Sequence, residues 1–407
     1  MATNFVCVSP SFPETNAHFC EHLAEAGITV LGIGDAPWGE LPERLKQSLT
    51  EYYRVDDLED YAQVHRAMAW LTFQHGRIDW VESFNEHWLE TDARLRTDYH
   101  ITTGHGIDMI PSIKSKRAMK PIYAGAGVPS ARQIEVSDVV AAREFTEKVG
   151  FPVIVKPEVG VGATRTHKLS DAHDVAEFFL DAPEGSYVME EFLEGDIYSY
   201  DAILDADGEP VFEAATKWPP SIMNVVLQGL DLTYRVLADV PDQLRDLGRA
   251  TSRAFGMRNR FVHLEFFKLD EARPGLAAVG DFVGLEVNMR PAGGFTLDMF
   301  NHARAGDVYQ IYTDLVTGHD SGAATLAEAD PRVCVYAGRR DHRHYVHSTP
   351  ELLEKYSGEL VRHRRNPQMM VPQMGDEFFL LRARDDEAAD AFVADVLATA
   401  QPVEGTR

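Results

Sequence analysis

Three observations predict a multidomain protein of mixed α/β and α+β architecture. The chain has 407 residues, enough for about two to three domains of roughly 150 residues each. Apolar strand-like segments alternate with helical ones in the N-terminal part, which is typical of a parallel sheet. Two later apolar segments, 261–269 and 283–290, carry carboxylates and are joined by a polar stretch with proline and glycine, which favours an antiparallel hairpin.

The composition excludes several classes of function. Lysine and arginine number 39 against 64 aspartates and glutamates, which gives a formal net charge of −25. A chain this acidic repels the phosphates of DNA, RNA and anionic lipid, so we expect no nucleic acid and no membrane among its partners. An apolar content of 44% is ordinary for a globular protein and excludes a disordered or collagen-like chain. A small phosphate compound held with a divalent cation remains compatible with the charge.

The cysteines and the N-terminus indicate a reducing, cytoplasmic setting. Cys7, Cys20 and Cys334 are scattered and form no C-x-x-C pair, so no disulfide framework is predicted. The first residues, MATNFVCVSPSFPET, lack a basic segment followed by a long apolar one, which argues against a secretory leader. No stretch approaches the ~18 uninterrupted apolar residues of a membrane span.

Strands and helices alternate at the start of the chain, which predicts a Rossmann-like parallel α/β domain over residues 1–112. A glycine that follows a helical pattern is a common helix stop, and Gly27 and Gly76 stand at such positions. The predicted elements are strands at 4–8, 28–34 and 78–84 and helices at 15–26 and 60–75.

Motifs for several common activities are missing. Gly32 and Gly34 begin a G-x-G pattern, but Pro37 stands where the third glycine of a dinucleotide fingerprint would be, which argues against NAD binding. No lysine directly follows a glycine, so there is no Walker P-loop, and neither H-E-x-x-H nor G-x-S-x-G occurs.

The rest of the chain is predicted to form three further units. Helices are expected at 114–126 and 137–149, and an apolar strand at 151–157 ends on Lys156-Pro157. The remaining strands are predicted at 187–195, 198–204, 211–217, 261–269, 283–290, 333–337 and 377–383. The resulting domains are 113–188, a small subdomain with a phosphate loop, 189–320, a large subdomain with a metal site, and 321–407, a small C-terminal α/β domain.

The predicted hairpin brings acidic and amide side chains together. Alternation along a strand puts His263 and Glu265 on one face, and it puts Glu286, Asn288 and Arg290 on one face of the next strand. Carboxylate and amide oxygens are the ligands that Mg²⁺ takes when it is shared with substrate phosphates. Arg290 would then face the same cavity and hold an oxyanion. The alternative is that Glu286 and Arg290 form only a surface ion pair.

Two other segments carry weaker signals. Lys156 precedes a glycine-bearing turn at 160–164, where backbone N–H groups can approach a phosphate closely; an ordinary turn with a surface lysine is the alternative. The strand at 187–195 ends with Glu190 and Glu191 next to Phe192 and Leu193, and these acids are either functional or solvated.

The order of these segments resembles the ATP-grasp superfamily, the fold of D-alanine–D-alanine ligase, biotin carboxylase and the large chain of carbamoyl phosphate synthetase. The resemblance covers 113–310, nearly half of the chain. The matching segments are SKRAMKPIYAGAGVP (115–129), FPVIVKPEVGVGAT (151–164), YVMEEFLEG (187–195), HLEFF (263–267) and LEVNMRPAGG (285–294). The preceding α/β domain also fits the N-terminal domain usual in that superfamily.

The resemblance implies ATP and Mg²⁺ as cofactors, with Mn²⁺ as an alternative ion, and it implies a role for each matched residue. Lys116 and Lys156 would bind the ATP phosphates. Arg290 would stabilise the transferred phosphate or acyl phosphate. The remaining implied roles are a mobile loop over the phosphates for Gly160, Gly162, Ala163 and Thr164, adenine contacts for Glu190, Glu191, Phe192 and Leu193, and metal ligation for Glu265, Glu286 and Asn288.

This chain departs from the superfamily pattern at two positions. Ile197 stands where an acidic ribose ligand is common, so the adjacent Asp196 is the candidate for that contact. Ser115 replaces the aspartate that often precedes the first lysine, Lys116.

The leading hypothesis is a carboxylate–amine ligase that activates a small, amino-acid-like carboxylate as an acyl phosphate and releases ADP and phosphate. Its partners would be small-molecule carboxylate and amine substrates, and both a monomer and a homodimer are open. Two alternatives remain: a biotin-carboxylase-like enzyme with a separate carrier, and a nucleotide-binding regulatory protein without turnover. Candidate substrate residues are Lys217 and Arg235 for a carboxylate, and Glu82 and Glu86 for an amine, because ligands lie at the carboxyl ends of parallel strands.

Overall fold

The computed structural model describes residues 3–136, 138–159, 166–180, 185–218, 225, 229–304, 306–327 and 329–399, and every structural statement below concerns these residues. Three sheets organise the chain: one parallel and four-stranded, one antiparallel and four-stranded, and one antiparallel and eight-stranded. None of the helices within these ranges is long and apolar enough to cross a membrane.

The N-terminal unit is a parallel sheet, as the sequence predicts. Its strand order is β3-β2-β1-β4, and β1 pairs in parallel with both β2 and β4. The strands are β1 (Asn4–Val8), β2 (Thr29–Gly34), β3 (Glu51–Arg54) and β4 (Trp80–Glu82), and the helices are α1 (Asn16–Glu25), α2 (Glu43–Ser48), α3 (Tyr61–His75) and α4 (Leu89–Asp98).

The second unit is an antiparallel sheet of order β5-β8-β6-β7. Two helices precede the sheet. The first is short and has Pro111 near its start, and the N-cap residue of the second, Ser115, accepts a hydrogen bond from the Ala118 N–H. The strands are β5 (Gln133–Glu135), β6 (Val153–Pro157), β7 (His167–Leu169) and β8 (Tyr187–Glu191), and the helices are α5 (Ile110–Lys114), α6 (Lys116–Gly125), α7 (Val139–Val149) and α8 (Ala172–Leu180).

The third sheet is the largest, with the order β13-β12-β9-β10-β11-β14-β16-β15. Its first part consists of β9 (Gly195–Leu204), β10 (Pro210–Trp218), β11 (Thr233–Val236), β12 (Arg260–Leu269) and β13 (Phe282–Asn288), with the helices α9 (Asp242–Ala254), α10 (Thr296–Arg304), α11 (Val308–Thr317) and α12 (Ala323–Ala327). The predicted hairpin of two carboxylate-bearing strands is confirmed, because β12 and β13 pair in antiparallel.

The strands that lie in the predicted C-terminal unit, 321–407, extend the same large sheet through pairing of β14 with β11. Its elements are β14 (Val333–Arg339), α13 (Thr349–Lys355), β15 (Leu360–Arg365), α14 (Val371–Met374), β16 (Glu377–Ala383) and α15 (Asp386–Leu397). Leu352 and Phe392 from the helices pack on Phe379 and Leu381 of the sheet. The predicted boundary at residue 188 falls inside β8, and the large sheet runs across the predicted boundary at residue 320, so both divisions stay predictions.

The two faces of the large sheet have different partners. On one face Tyr200 is fully buried beneath α9, where a Cβ at Gly248 would lie 2.3 Å from the Tyr200 ring, so only glycine permits this packing. The other face carries a row of polar side chains at directly paired positions: Glu286, Glu265 and Ser199 lie opposite one another on β13, β12 and β9. The fold thereby separates an apolar face from a polar one, and the polar face holds the site.

Candidate active site

Two carboxylates and an amide meet where β12 and β13 pair. Glu265 lies directly opposite Glu286, and His263 lies opposite Asn288. Directly opposed like charges destabilise a sheet unless a cation lies near them. The Lys116 Nζ atom is 3.7 Å from Glu286 Oε1, which supplies part of that compensation.

The environment of these side chains fits a hard divalent cation. Burial raises the pKa of Glu286, and the neighbouring Glu265 carboxylate raises it further. The Asn288 amide, buried two residues further along β13, offers its oxygen to a cation. Within the described residues, no group of three or more histidine, cysteine, aspartate or glutamate side chains is arranged to hold a metal. Mg²⁺ binds through one or two carboxylates together with substrate phosphates, which matches this smaller set.

His263 links the Glu265 carboxylate to a second acid. Its Nε2 atom is 3.3 Å from Glu265 Oε1, and its Nδ1 atom is 2.6 Å from Asp201 Oδ1. Burial acts to lower the pKa of His263, but the two carboxylates outweigh it and raise the pKa to about 9. Burial acts to raise the pKa of Glu265, and the His263 imidazolium lowers it below its ordinary value.

Arg290 follows directly on this hairpin and meets the N-terminal unit. Its Nη1 atom donates to the Pro291 carbonyl at 2.8 Å, and its Nε atom is 3.6 Å from Glu86 Oε2. Glu86 lies just beyond β4, at the carboxyl edge of the parallel sheet. Its Oε2 atom is buried and accepts no hydrogen bond from the described residues. The Arg290–Glu86 pair therefore marks a charged contact between the two units next to the carboxylates.

Glu190 lies between two lysines on the antiparallel sheet. Its Oε2 atom is 2.5 Å from Lys156 Nζ, and its Oε1 atom is 2.9 Å from Lys120 Nζ. The Gln133 amide also donates to Glu190 Oε1, at 2.8 Å. Burial acts to raise the pKa of Glu190, but Lys156 and Lys120 outweigh it and lower the pKa to about 2. This carboxylate stays charged and fixes both ammonium groups.

Neighbouring segments of the same protein hold Glu191, at the end of β8, and the residues that follow it. The Glu191 carboxylate accepts from the Arg132 backbone N–H at 2.7 Å and from the Arg132 guanidinium at 3.0 and 2.5 Å. The Phe192 N–H donates to the Pro152 carbonyl at 3.3 Å, and the Lys168 ammonium lies 3.9 Å from the centre of the Phe192 ring. Leu193 is buried. The Glu191 side chain therefore serves the sheet, and its backbone N–H also donates within the sheet, to the Arg132 carbonyl at 3.1 Å.

The structure brings Lys116, Glu265, Glu286, Asn288 and Arg290 together, and it brings Lys156 to Glu190. The predicted phosphate-loop residues Gly160, Gly162, Ala163 and Thr164 lie outside the described residues.

The expectation that Asp196 contacts the ribose is corrected by the register of the large sheet. Ser199 lies opposite Glu265, so Ile197 shares the polar face with them, whereas Asp196 points to the other face. There Asp196 Oδ2 forms an ion pair with Lys217 Nζ at 2.7 Å. Lys217, paired with Tyr198 on β9, is also on that other face.

Two candidate substrate residues serve internal ion pairs instead. Arg235 contacts Asp386 at 3.1 Å and also binds Asp390. Glu82 is buried and lies 2.8 Å from Arg96 Nη2 and 3.4 Å from Arg260 Nη2. The prediction that Glu82 binds an amine is therefore corrected, and Glu86 is the remaining candidate of that pair.

Sequence reasoning missed Lys120, Gln133 and Asp201. Lys120 follows Lys116 by four residues, a spacing that places both lysines on one helix face, so this signal was present in the sequence. Gln133 and Asp201 reach the site only because β5 pairs with β8 and β9 pairs with β12. No local pattern reports such long-range pairing.

The chain is similar in sequence to a known amino acid ligase. No family model matches the chain. An L-arginine-specific L-amino acid ligase from Bacillus subtilis is 27% identical over 255 residues, which are 60% of this chain and 58% of the relative. This chain thus spans little more than half the length of that curated relative.

Solved structures match over nearly the whole chain. An L-amino acid ligase from Bacillus licheniformis superposes with a TM-score of 0.69 and 15% identity, over 97% of this chain and 96% of the other. The biotin carboxylase domain of 2-oxoglutarate carboxylase from Hydrogenobacter thermophilus, solved with MgADP and bicarbonate, gives a TM-score of 0.67 and 15% identity over 97% and 90%. At this level of identity the likeness concerns the fold, and it confirms the predicted fold class.

Proposed function

We propose that this chain belongs to the ATP-grasp superfamily and that it is an ATP-dependent carboxylate–amine ligase. The observation that carries the proposal is the meeting of three kinds of side chain at one place: lysines for phosphates, paired carboxylates for a divalent cation, and an arginine for an oxyanion. Its substrates are a small-molecule carboxylate and a small-molecule amine.

The lysines supply the positive charge that binds the ATP phosphates. Lys116 lies near the Glu286 carboxylate, and Lys156 and Lys120 flank Glu190. Lys156 exchanges its contact with Glu190 for a phosphate oxygen, and Lys120 then keeps the buried Glu190 carboxylate compensated. Phosphoryl transfer needs this neutralisation and the positioning of the reacting groups more than any covalent help.

Glu265, Glu286 and Asn288 would hold Mg²⁺ or, as an alternative, Mn²⁺. When bound, the ion neutralises phosphate charge in the phosphoryl transfer. The opposed carboxylates, with the buried Asn288 amide opposite His263 on the same hairpin, support this assignment.

Arg290 is the residue that we assign to the reacting carboxylate. A carboxylate oxygen of the first substrate attacks the γ-phosphorus of ATP, the bond from that phosphorus to the bridging oxygen breaks, and ADP leaves. The amine nitrogen then attacks the acyl carbon, loses a proton, and displaces inorganic phosphate. The Arg290 guanidinium stabilises the negative oxygens in both steps because it presents several N–H donors in a fixed plane.

The pairing of Arg290 with Glu86 supports an amino-acid-like first substrate. A buried carboxylate oxygen without a hydrogen-bond donor, 3.6 Å from a guanidinium, is suited to a cationic amine near the carboxylate that Arg290 holds. The relative from Bacillus subtilis, whose name specifies an L-amino acid ligase, is consistent with this substrate class.

The proposed function is tested by nucleotide product analysis with Mg²⁺-ATP over a panel of amino acids, other carboxylates and bicarbonate, each with and without an amine. We expect release of ADP and phosphate that depends on both substrates. AMP with pyrophosphate would overturn the acyl-phosphate mechanism, and turnover with bicarbonate alone would favour a carboxylating enzyme.

Matched variants connect this turnover to the site. Lys156→Ala and Glu286→Ala are expected to abolish turnover while circular dichroism shows a folded protein, because they remove phosphate and metal contacts. Asp196→Ala, a charge deletion on the opposite face of the sheet, is the control and should retain turnover. Near-wild-type turnover in either of the first two variants would contradict the assignment.

A further inference from the structure

A chain of polar contacts runs along the polar face of the large sheet behind Glu265. Asp201 lies at its centre: its Oδ1 atom contacts His263 Nδ1 at 2.6 Å, and its Oδ2 atom accepts from Ser199 Oγ at 2.6 Å and from Thr216 Oγ1 at 3.4 Å. The chain ends where His263 Nε2 meets Glu265 Oε1 at 3.3 Å. Both nitrogens of the imidazole and both oxygens of the aspartate are thus engaged.

The pairing of β9 with β12 sets the positions of these groups. His263 and Asp201 are directly opposite each other on β12 and β9, and Glu265 and Ser199 form the next pair on the same face. Asp201 and His263 are buried, with 2% and 4% of their surface exposed. The Glu265 side chain, in contrast, is 25% exposed and reaches the open side of the sheet. The buried Asp201 and His263 side chains therefore support Glu265, the side chain that reaches a ligand.

Stability alone does not account for this row of buried polar contacts. A buried ionic group is costly to desolvate, and well-packed apolar side chains of similar volume are often as stable or more stable. Here an imidazole and a carboxylate are buried directly behind a residue that we assign to a metal. In metal sites, partners that fix the orientation of a ligand typically contribute about 10- to 100-fold in metal affinity.

We infer that His263 is a positioning residue: anchored on Asp201, it holds Glu265 Oε1 and so leaves the second oxygen, Oε2, directed toward the cation that Glu286 and Asn288 share. This inference rests on the proposed function, since it concerns the divalent cation of that site. It assigns a role to two buried residues, His263 and Asp201, that act through Glu265.

The inference is tested by measuring Mn²⁺ binding by electron paramagnetic resonance in the presence of a non-hydrolysable ATP analogue, so that no turnover enters the readout. His263→Ala is expected to weaken Mn²⁺ binding by about 10- to 100-fold, because Glu265 loses the contact that fixes it. Asp201→Asn keeps the imidazole but weakens its anchor, and it is expected to give a smaller loss in the same direction.

Tyr200→Phe is the matched control. Tyr200 neighbours Asp201 on β9, is equally buried, and donates to Glu213 Oε1 at 2.6 Å on the opposite face of the sheet. Removing that hydroxyl should leave Mn²⁺ binding unchanged, since the hydrogen bond does not lead to Glu265. Thermal unfolding of all variants separates loss of folding from loss of the site.

Added imidazole separates positioning from a loss of packing. In His263→Ala, imidazole is expected to restore Mn²⁺ binding, whereas 1-methylimidazole, whose methyl group blocks one of the two ring nitrogens that contact Asp201 and Glu265, is not. Equal rescue by both compounds, or unchanged Mn²⁺ binding in folded His263→Ala and Asp201→Asn proteins, would overturn the inference. Failure of the wild-type protein to bind Mn²⁺ with the nucleotide analogue would instead contradict the metal site itself and the proposed function with it.

Discussion

At the scale of single residues, Glu190 shows how the site holds its charges before a ligand arrives. Its carboxylate is buried and is contacted by Lys156, Lys120 and Gln133. Buried charges are tolerated when they are paired and hydrogen-bonded. The lysines therefore stay near the position where the phosphates are expected, and the acid stays ionised.

This arrangement predicts a pH-dependent contribution of Glu190 to stability. The pKa of Glu190 is lowered from 4.5 to about 2 by Lys156 and Lys120 against the opposing effect of burial. A lowered pKa stabilises the fold above the unfolded-state value and loses that contribution as the pH falls through the folded-state value. At neutral pH, Glu190→Gln should lower the free energy of unfolding by on the order of 3 kcal/mol.

The measurement is urea unfolding of wild type and Glu190→Gln between neutral pH and pH ~2, the window set by the shift. The difference between the two proteins should shrink as the pH falls below the ordinary value of 4.5. Glu147→Gln, an exposed acid on α7, is the control and should change the free energy of unfolding by less than about 0.5 kcal/mol at every pH. A pH-independent difference for Glu190→Gln would contradict the assigned ion pairs.

A second prediction at this scale concerns Glu86. Glu86→Gln should raise the KM for an amino-acid substrate and leave the KM for ATP nearly unchanged, because the amide keeps the shape but loses the charge that attracts an amine. Steady-state kinetics with each substrate varied in turn makes this comparison. A change confined to ATP would show that Glu86 serves the nucleotide instead.

At the scale of elements, the register of the large sheet decides which side chains reach the site. A shift of one residue along a strand moves a side chain to the opposite face. Asp196 and Ile197 are neighbours in sequence, yet only Ile197 lies on the face that holds Glu265.

The register predicts that Asp196→Ala leaves the KM for ATP at its wild-type value. Loss of the partly exposed ion pair with Lys217 should cost at most about 1 kcal/mol of stability. Ile197→Asp is the informative partner variant, because it places an acid on the polar face where a ribose contact is expected. A higher KM for ATP in Asp196→Ala would contradict the face assignment.

The same elements show what the sequence could predict. The pair β12 and β13 was predictable because apolar alternation, a polar turn and the positions of Glu265, Glu286 and Asn288 all agreed. The short strands β3, β5, β7, β11 and β15 were missed, because three to six residues show too little periodicity to distinguish a strand from a loop.

Contacts that depend on distant pairing were beyond the sequence. Asp201 reaches His263, 62 residues away, only through the pairing of β9 with β12. Glu82 looked like a ligand residue because it ends a parallel strand, but Arg260 comes from the large sheet, 178 residues away, to pair with it. Side chains that act within one hairpin were thus predictable, and side chains that join separate units were not.

At the scale of the whole molecule, Glu82, Arg96 and Arg260 fix the N-terminal unit to the large sheet. Glu82 and Arg96 belong to β4 and α4, and Arg260 begins β12. All three side chains are buried, so the junction contains a closed ionic cluster.

Breaking this cluster should destabilise the protein without a direct effect on substrate binding. Glu82→Gln leaves two buried guanidinium groups without their carboxylate, and removal of one partner of a buried ion pair costs about 3–5 kcal/mol. Chemical unfolding measures this loss, and KM values at a temperature where the variant is folded test the second part. A folded, fully stable Glu82→Gln protein with an impaired KM for the amine would restore Glu82 as a substrate residue.

The central claim is that the chain activates a carboxylate as an acyl phosphate, and the most direct test follows an oxygen atom. The first substrate is prepared with ¹⁸O in its carboxylate and incubated with the enzyme, Mg²⁺-ATP and the amine, and the phosphate products are analysed by mass spectrometry. We expect one ¹⁸O atom in inorganic phosphate and none in ADP, because the attacking carboxylate oxygen leaves with the phosphate. Transfer of ¹⁸O to AMP, or phosphate free of ¹⁸O, would contradict the account.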